Sequence, residues 1–579
     1  MDHMDLDTLL KGFRSKAQTG AISENGLAHL LSLADELSAS GDWDRAWQAL
    51  TVASQAAQNS RNLHYLAEAS IYRGILQHRR GDLRNAIEAW ENALSRFSEL
   101  AEVEGIANCH VNLGAAYKSL GELDKAREHL QSARSLYQNI DFHKGQAAAL
   151  TNLGLVHRDS GQLDQAVQCF EAALALDREL EDIRGEAGNL SNLGILSLPR
   201  GDTQLSLEYQ EQALKLYKQV GDLLGESNVH GNLGIIYQTV GDFKGAEAHF
   251  NHALKIDRSL GTRAGEAADL VNLGLFYRDM GELSQARKCL ENAYELHARD
   301  GRADGALIAL GNLGMVHRSL GDYSKALACL SQALKLAQKS GFQRHEAHVW
   351  GNMGLIYQER GQLDEAREAH EHSLMLKQAV GDRLGESASL GNLGIIARLK
   401  KRFDEAIELH QQALEIARVI GHKEGEVLEL SNLALVFRDR EDFSRALIYL
   451  TDALNVAEAI RQPEILWKVH TILGGVYRRT NETEQAIAEL ETAIEGIESI
   501  RGRLLRDDEK LSFIGMDKIS VYTQLVQLLH RLPNQRAKEF DYIERARSRL
   551  FLDQLAHLGL EMAYSESPAN YVAVRNFLE

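Results

Sequence analysis

Glycine recurs at Gly41, Gly81, Gly121, Gly161, Gly201, Gly241, Gly281, Gly321 and Gly361, one every 40 residues without an insertion or deletion. Five residues further on, the same spacing gives Ala46, Ala86, Ala126, Ala166, Ser206, Ala246, Ala286, Ala326, Ala366, Ala406, Ala446 and Ala486, so eleven of twelve slots hold alanine and one holds serine. A fixed period of this length marks a stack of equivalent units, each too small to bury its apolar face without its neighbours. The unit is therefore read before any single motif, and function is sought on a surface that the stack presents.

One period, residues 145–184, reads GQAAALTNLGLVHRDSGQLDQAVQCFEAALALDRELEDIR. Leu153, Gly154 and His157 fall three and four apart before the break at Ser160 and Gly161, and Ala166, Phe170 and Ala173 do so after it. That spacing gives two helices, each with one face to bury, joined as a hairpin. Apolar residues make up 44% of the chain, aromatics 6%, and there are four prolines, a mix that suits helices packed through Ala, Leu and Gly. The fold class is all-α. After the second helix come Gly and Asp, as at Gly221 and Asp222 or Gly381 and Asp382, and then Gly and Glu at 225–226, 265–266, 385–386 and 425–426. Glycine supplies a left-handed stop, and the acid falls near the positive end of the next helix.

Cys109, Cys169, Cys289 and Cys329 lie inside the helical pattern, the last three at one repeat position, which reads as core packing in a reducing cytoplasm and not as a disulfide framework. The start MDHMDLD has no basic-then-apolar signal, and no apolar run approaches the roughly 20 residues that cross a bilayer. A net charge of -18 argues against broad binding to nucleic acid or anionic lipid, while leaving room for a local basic stripe. No phosphate loop, nucleophile elbow or dinucleotide fingerprint occurs, so neither cofactor nor intrinsic enzyme is expected. HEAH at 345–348 and HEH at 370–372 lack the zinc-hydrolase spacing and a third ligand, and are read as solvated helix faces. His157 and His317 fill a slot held elsewhere by Tyr117, Tyr237, Tyr277 and Tyr357, and are read as packing residues.

Leu113, Gly114, Tyr117, Gly121, Ala126, Leu130 and Ala133 set out one full repeat, and the pattern resembles the tetratricopeptide repeat over residues 24–500. The 40-residue form is similar to the arrays of kinesin light chain and of Pins-type spindle adaptors. The resemblance implies a right-handed superhelix of about twelve helical hairpins, with residues 1–23 as a helical cap. Lys401, Glu441 and Asn481 replace the turn glycine, so those joints are expected to bend differently, and Pro199 is expected to distort one helix end.

Just before the leucine of the first helix stands asparagine in nine consecutive repeats: Asn112, Asn152, Asn192, Asn232, Asn272, Asn312, Asn352, Asn392 and Asn432. Asparagine competes with the helix backbone for hydrogen bonds, so something other than propensity favours it. Two readings stand. Each amide ties neighbouring hairpins together or survives from repeat duplication; or the amides line the concave face and grip the main chain of an extended peptide, offering it one donor and one acceptor. In peptide-binding tetratricopeptide arrays a clamp asparagine occupies a similar slot, which implies the second reading. Six residues on stand Lys118, Arg158, Arg278, Arg318, Arg398, Arg438 and Arg478. They either suit an acidic partner segment or answer the helix dipole at C-termini.

Beyond residue 500 the period stops, and residues 501–579 are read as a transition segment with two amphipathic helices and a break at Pro533. YIERARSRLFLDQLA, residues 542–556, resembles the segment that joins such arrays to a CHAT domain, a caspase-like protease. That resemblance implies a protease in cis whose catalytic residues are absent from this chain. The expected function is a binding module that captures a protein or peptide and regulates such a protease in bacterial signalling or defence. A constitutive scaffold with no protease is the alternative.

Overall fold

The computed structural model describes residues 10–11, 13–14, 16–17, 22–39, 42–198, 202–460, 462–502, 516–532 and 534–557. Twelve helical hairpins run from Glu24 to Gly502, followed by helices Met516–His530 and Arg536–His557. No strand occurs among the described residues. Hairpin 3 pairs helix A, Val103–Leu120, with helix B, Leu123–Asn139, and hairpin 6 pairs Leu223–Thr239 with Phe243–Leu260. Of the expected cap, Leu10 and Ala17 are buried against Leu27, Leu30 and Leu31 of hairpin 1. Gly41, Pro199, Gly201 and Pro533, with 503–515 and 558–579 of the transition segment, lie outside the described residues.

The repeat slots are the core. Ala126, Leu130, Ala133 and Leu113 are fully buried, and their equivalents Ala166, Phe170 and Ala173 are too. Helix A approaches helix B so closely that a Cβ built at Gly154 would lie 2.6 Å from the Phe170 ring. Alanine at that position must push the ring aside, which is why glycine holds it.

The turn glycines are left-handed, with φ of 78° at Gly81 and 86° at Gly121. Lys401, Glu441 and Asn481 adopt the same conformation, at 59°, 65° and 63°. The joints expected to bend differently therefore keep the common backbone. Lys401 N–H donates to the Arg398 carbonyl at 2.9 Å and Arg402 N–H to the Ala397 carbonyl at 2.8 Å, the bonds that Gly361 and Gln362 make at 3.0 and 2.9 Å. Those bonds fix the turn whatever the residue.

The chain divides into two compact units, one of 1–278, 282–356 and 375–382, the other of 279–281, 357–374 and 383–579. Within the first unit, residues far apart in sequence meet. The Arg344 guanidinium donates to the Asp159 carbonyl at 2.6 Å and lies 3.9 Å from its carboxylate. A Cβ at Gly121 would stand 3.4 Å from Arg344 and 3.5 Å from Val380, and one at Gly81 would stand 3.6 Å from Ala303. Val380 is 3% exposed, whereas Ile140, Leu180 and Leu260 in the same slot are 39%, 40% and 41% exposed.

The core also holds polar side chains at slots that are apolar elsewhere. Gln210 replaces the bulky residue of helix B and exchanges bonds with Ser191, while Ser206 donates to the Gly194 carbonyl at 2.6 Å. His370 occupies that same slot and is fully buried, which corrects the expectation of a solvated face; His372 is exposed. The repeat period, and not the local HEH string, decides where His370 sits. His410, again in this slot, bonds Glu429 at 2.7 Å, both buried. His317 is buried, and half-buried His157 bonds Gln162 at 2.7 Å.

Candidate functional site

Helix A of most hairpins buries a Leu–Gly pair, as at Leu233 and Gly234, and leaves one stripe facing outward. In hairpin 6 the stripe holds Asn228, Asn232 and Ile235, spaced by four and three residues and so on one face. In the first unit Asn112, Asn152, Asn192, Asn232, Asn272, Asn312 and Asn352 are all half-buried at the same register. In the second, Asn392 is half-buried and Asn432 is 8% exposed.

The amides are not bonded alike. Asn152 and Asn312 donate to the carbonyls of Ala148 and Ile308 on their own helices, both at 2.9 Å. Those carbonyls already belong to the helix ladder, so a ligand can take the donor at little cost. Asn232 instead reaches back 3.0 Å to the Ser191 hydroxyl of hairpin 5, which joins it to the Gln210 network. The Asn432 Nδ2 is buried with no hydrogen-bond partner among the described residues.

Glycine precedes asparagine at Gly231, Gly311, Gly351 and Gly391. A Cβ at Gly311 would meet nothing within 4 Å, and one at Gly231 only the Asn272 amide at 3.7 Å. Neither backbone needs glycine, and each residue costs its helix roughly 1 kcal/mol relative to alanine. What glycine leaves there is space in front of the helix main chain, beside the amide.

A second row escaped the sequence reading. Three residues after each asparagine stand Ala115, Leu155, Ile195, Ile235, Leu275, Met315 and Leu355 in the first unit, all half-buried except Ile235, which is 42% exposed. The 40-residue spacing carries this signal, but an aliphatic residue in a helix does not by itself distinguish a surface row from core. Amides and aliphatic side chains thus alternate along helix A.

The basic row is largely occupied. Arg158 pairs with Asp159 at 2.9 Å; Arg438 and Arg398 both pair with Asp439, at 2.8 and 2.7 Å. Burial raises the Asp439 carboxyl, but hydrogen bonds from the two guanidiniums outweigh it and hold the group below its ordinary value. Arg278 and Arg318 are half-buried. Burial pushes the Lys118 ammonium down, opposed by Asp159.

At hairpins 1 to 3 the helix-A face deepens into a cavity of about 360 Å³. Asp35, Glu68, Ile71, Tyr72, Ile75, Asn108, Val111 and Asn112 line it with Phe97, which brings the first amide of the series to a recess. No group of three or more metal-ligating side chains occurs among the described residues. The four cysteines are free, and burial pushes the Cys109 thiol up to about 12. No helix among the described residues is long and apolar enough to cross a membrane.

The tetratricopeptide repeat profile matches residues 65–139, 105–179, 186–259, 266–339, 345–419 and 400–459, and a second profile of that description matches 312–371. No curated protein matches the chain. Among solved structures, BtubC from P. vanneervenii is 22% identical, aligned over 38% of this chain and 90% of its own, with a TM-score of 0.33. The Rap conjugation regulator of plasmid pLS20, solved with the Phr* peptide, is 15% identical over 58% and 95%, at 0.43. Yeast Tom70 is 15% identical over 79% and 97%, at 0.43.

Proposed function

Because the chain belongs to the tetratricopeptide repeat family, we propose that its helix-A face binds an extended segment of a protein partner, the asparagine series holding the segment's main chain. The observation that carries this is the pairing of amide and vacant space. Gly311 leaves open room immediately before Asn312, in a helix that alanine would serve better. A main chain lying there could accept from Nδ2 and donate to Oδ1 of each amide. The aliphatic row from Leu155 to Leu355 would take the apolar side chains of the same segment.

The basic row supports an acidic partner segment. An acidic side chain on it would compete with Asp159 for Arg158 and with Asp439 for Arg398 and Arg438, and Arg278 and Arg318 belong to the same series. Residues 542–556 resemble the segment that joins such arrays to a CHAT protease, and in a longer protein the array would regulate that protease through residues 501–560. Ser191 favours a structural part for Asn232, so the test replaces several amides at once. Asn232→Ala with Asn272→Ala and Asn312→Ala should weaken partner capture at least ten-fold while costing no more stability than the roughly 1 kcal/mol of the Asn232–Ser191 bond. A large stability loss would assign the series to packing between hairpins.

A further inference from the structure

We propose that the cavity at hairpins 1 to 3 is a subsite for a lysine side chain of the bound polypeptide, its ammonium held by Glu68 and its carbon stem lying along Ile71 and Ile75. This deepens the groove reading and rests on it, because the lysine would be presented by the segment that the asparagine series holds.

The cavity contains two carboxylates in different states. Asp35 is already neutralised, its Oδ1 2.8 Å from the Arg79 guanidinium, which also donates to the Ser38 hydroxyl at 3.0 Å. Glu68 is half-buried and has neither hydrogen bond nor ion pair among the described residues. The basic group that acts on it, His64, is engaged with Glu102 at 2.8 Å. Burial, reinforced by Glu102 and Glu104, raises the Glu68 carboxyl against the pull of His64, so this charge is stabilised by any cation that enters.

The other walls choose the kind of cation. Among the described residues no basic side chain lines the recess, so none of them repels an ammonium there. Tyr72, Asn108 and Asn112 also line it, and Asn108 Oδ1 already accepts from the Tyr137 hydroxyl at 2.6 Å. Aliphatic walls beneath a carboxylate that has no partner among the described residues fit a compact charge on an apolar stem, which is lysine. Glu68 also stands in the repeat position held by Asn108, Ala148, Gly188 and Asn228, so among the early hairpins the acid is specific to this place.

The test uses the whole chain with labelled isoleucine methyls. Three probes are titrated while the Ile71 and Ile75 signals are followed: acetyl-lysine methylamide, acetyl-norleucine methylamide, and a nonapeptide of Gln and Ala with one central Lys. Saturable shifts with the lysine probes, at least five-fold weaker with norleucine and at least five-fold weaker in Glu68→Gln, are expected, with Glu68→Asp restoring part of the affinity. Equal binding of lysine and norleucine, or equal binding by Glu68→Gln, would overturn the subsite. If the nonapeptide binds no tighter than the single residue, the subsite stands and the main-chain reading of the amides fails.

Discussion

Open space in front of Gly311 makes it the plainest case of a residue kept against the interest of its own helix. Gly311→Ala should raise stability by about 0.5–1 kcal/mol in chemical denaturation, because the methyl meets nothing and the unfolded chain loses freedom. The same substitution should weaken partner binding, since the methyl fills the space beside Asn312. Asp269 is unfavourable for another reason. It is 6% exposed beside Asp257, which takes bonds from Ser227 at 2.5 Å and from Thr262, and burial together with the Asp257 charge pushes the Asp269 carboxyl up to about 8. A raised native value means that stability is fully present below the unfolded value near 4 and is lost as pH rises towards 8. Asp269→Asn should therefore flatten that decline and add on the order of 1–3 kcal/mol at pH 8, measured as denaturation midpoints across the range. A falling midpoint in the variant at pH 8 would contradict this.

Helix boundaries, hairpin pairing and the buried Ala, Leu and Gly slots were legible in the sequence because one spacing repeats them and each repetition confirms the last. Exceptions within the slots are legible too, but only by register: His370, His410 and Gln210 stand where Phe170 and Leu130 stand, and for His370 the local HEH string points elsewhere. Bonding of the asparagines was not legible, since Asn152 bonds its own helix and Asn232 the preceding hairpin from the same slot. Lys401 in place of glycine points to a changed joint, yet its left-handed turn is held by backbone bonds that any residue can make. An L-residue there pays roughly 1–2 kcal/mol. Lys401→Gly should accordingly raise stability by a few tenths to about 1 kcal/mol, after the entropy that glycine adds to the unfolded chain, as read from the melting temperature. Neighbouring hairpins of the second unit are further linked by Arg440 to Asp404 and by Arg479 to Glu441, at 2.5 and 3.1 Å. These exposed pairs each contribute under about 1 kcal/mol and are expected to fade with salt.

Contacts across many repeats emerge only when small rotations between hairpins accumulate, so no motif announces them. In the first unit Arg344, Phe342 and Val380 sit against the turns at Gly81, Gly121 and Asp159. Arg344→Glu places two acids together at Asp159 and removes a charged hydrogen bond worth about 1.5–3 kcal/mol. Small-angle scattering of the variant should show a larger radius of gyration while helicity stays constant; an unchanged radius would show that the contact does not hold this unit closed. The central claim is that carboxamides of the helix-A face hold a partner's main chain. A peptide selected from a random library on the whole chain, then N-methylated one residue at a time, tests this most directly against the triple variant Asn232→Ala, Asn272→Ala and Asn312→Ala. Methylation at alternate residues should cost about ten-fold in affinity with the native chain, as expected for about 1.4 kcal/mol per hydrogen bond, and almost nothing with the variant. Equal methylation losses in both proteins would contradict the claim.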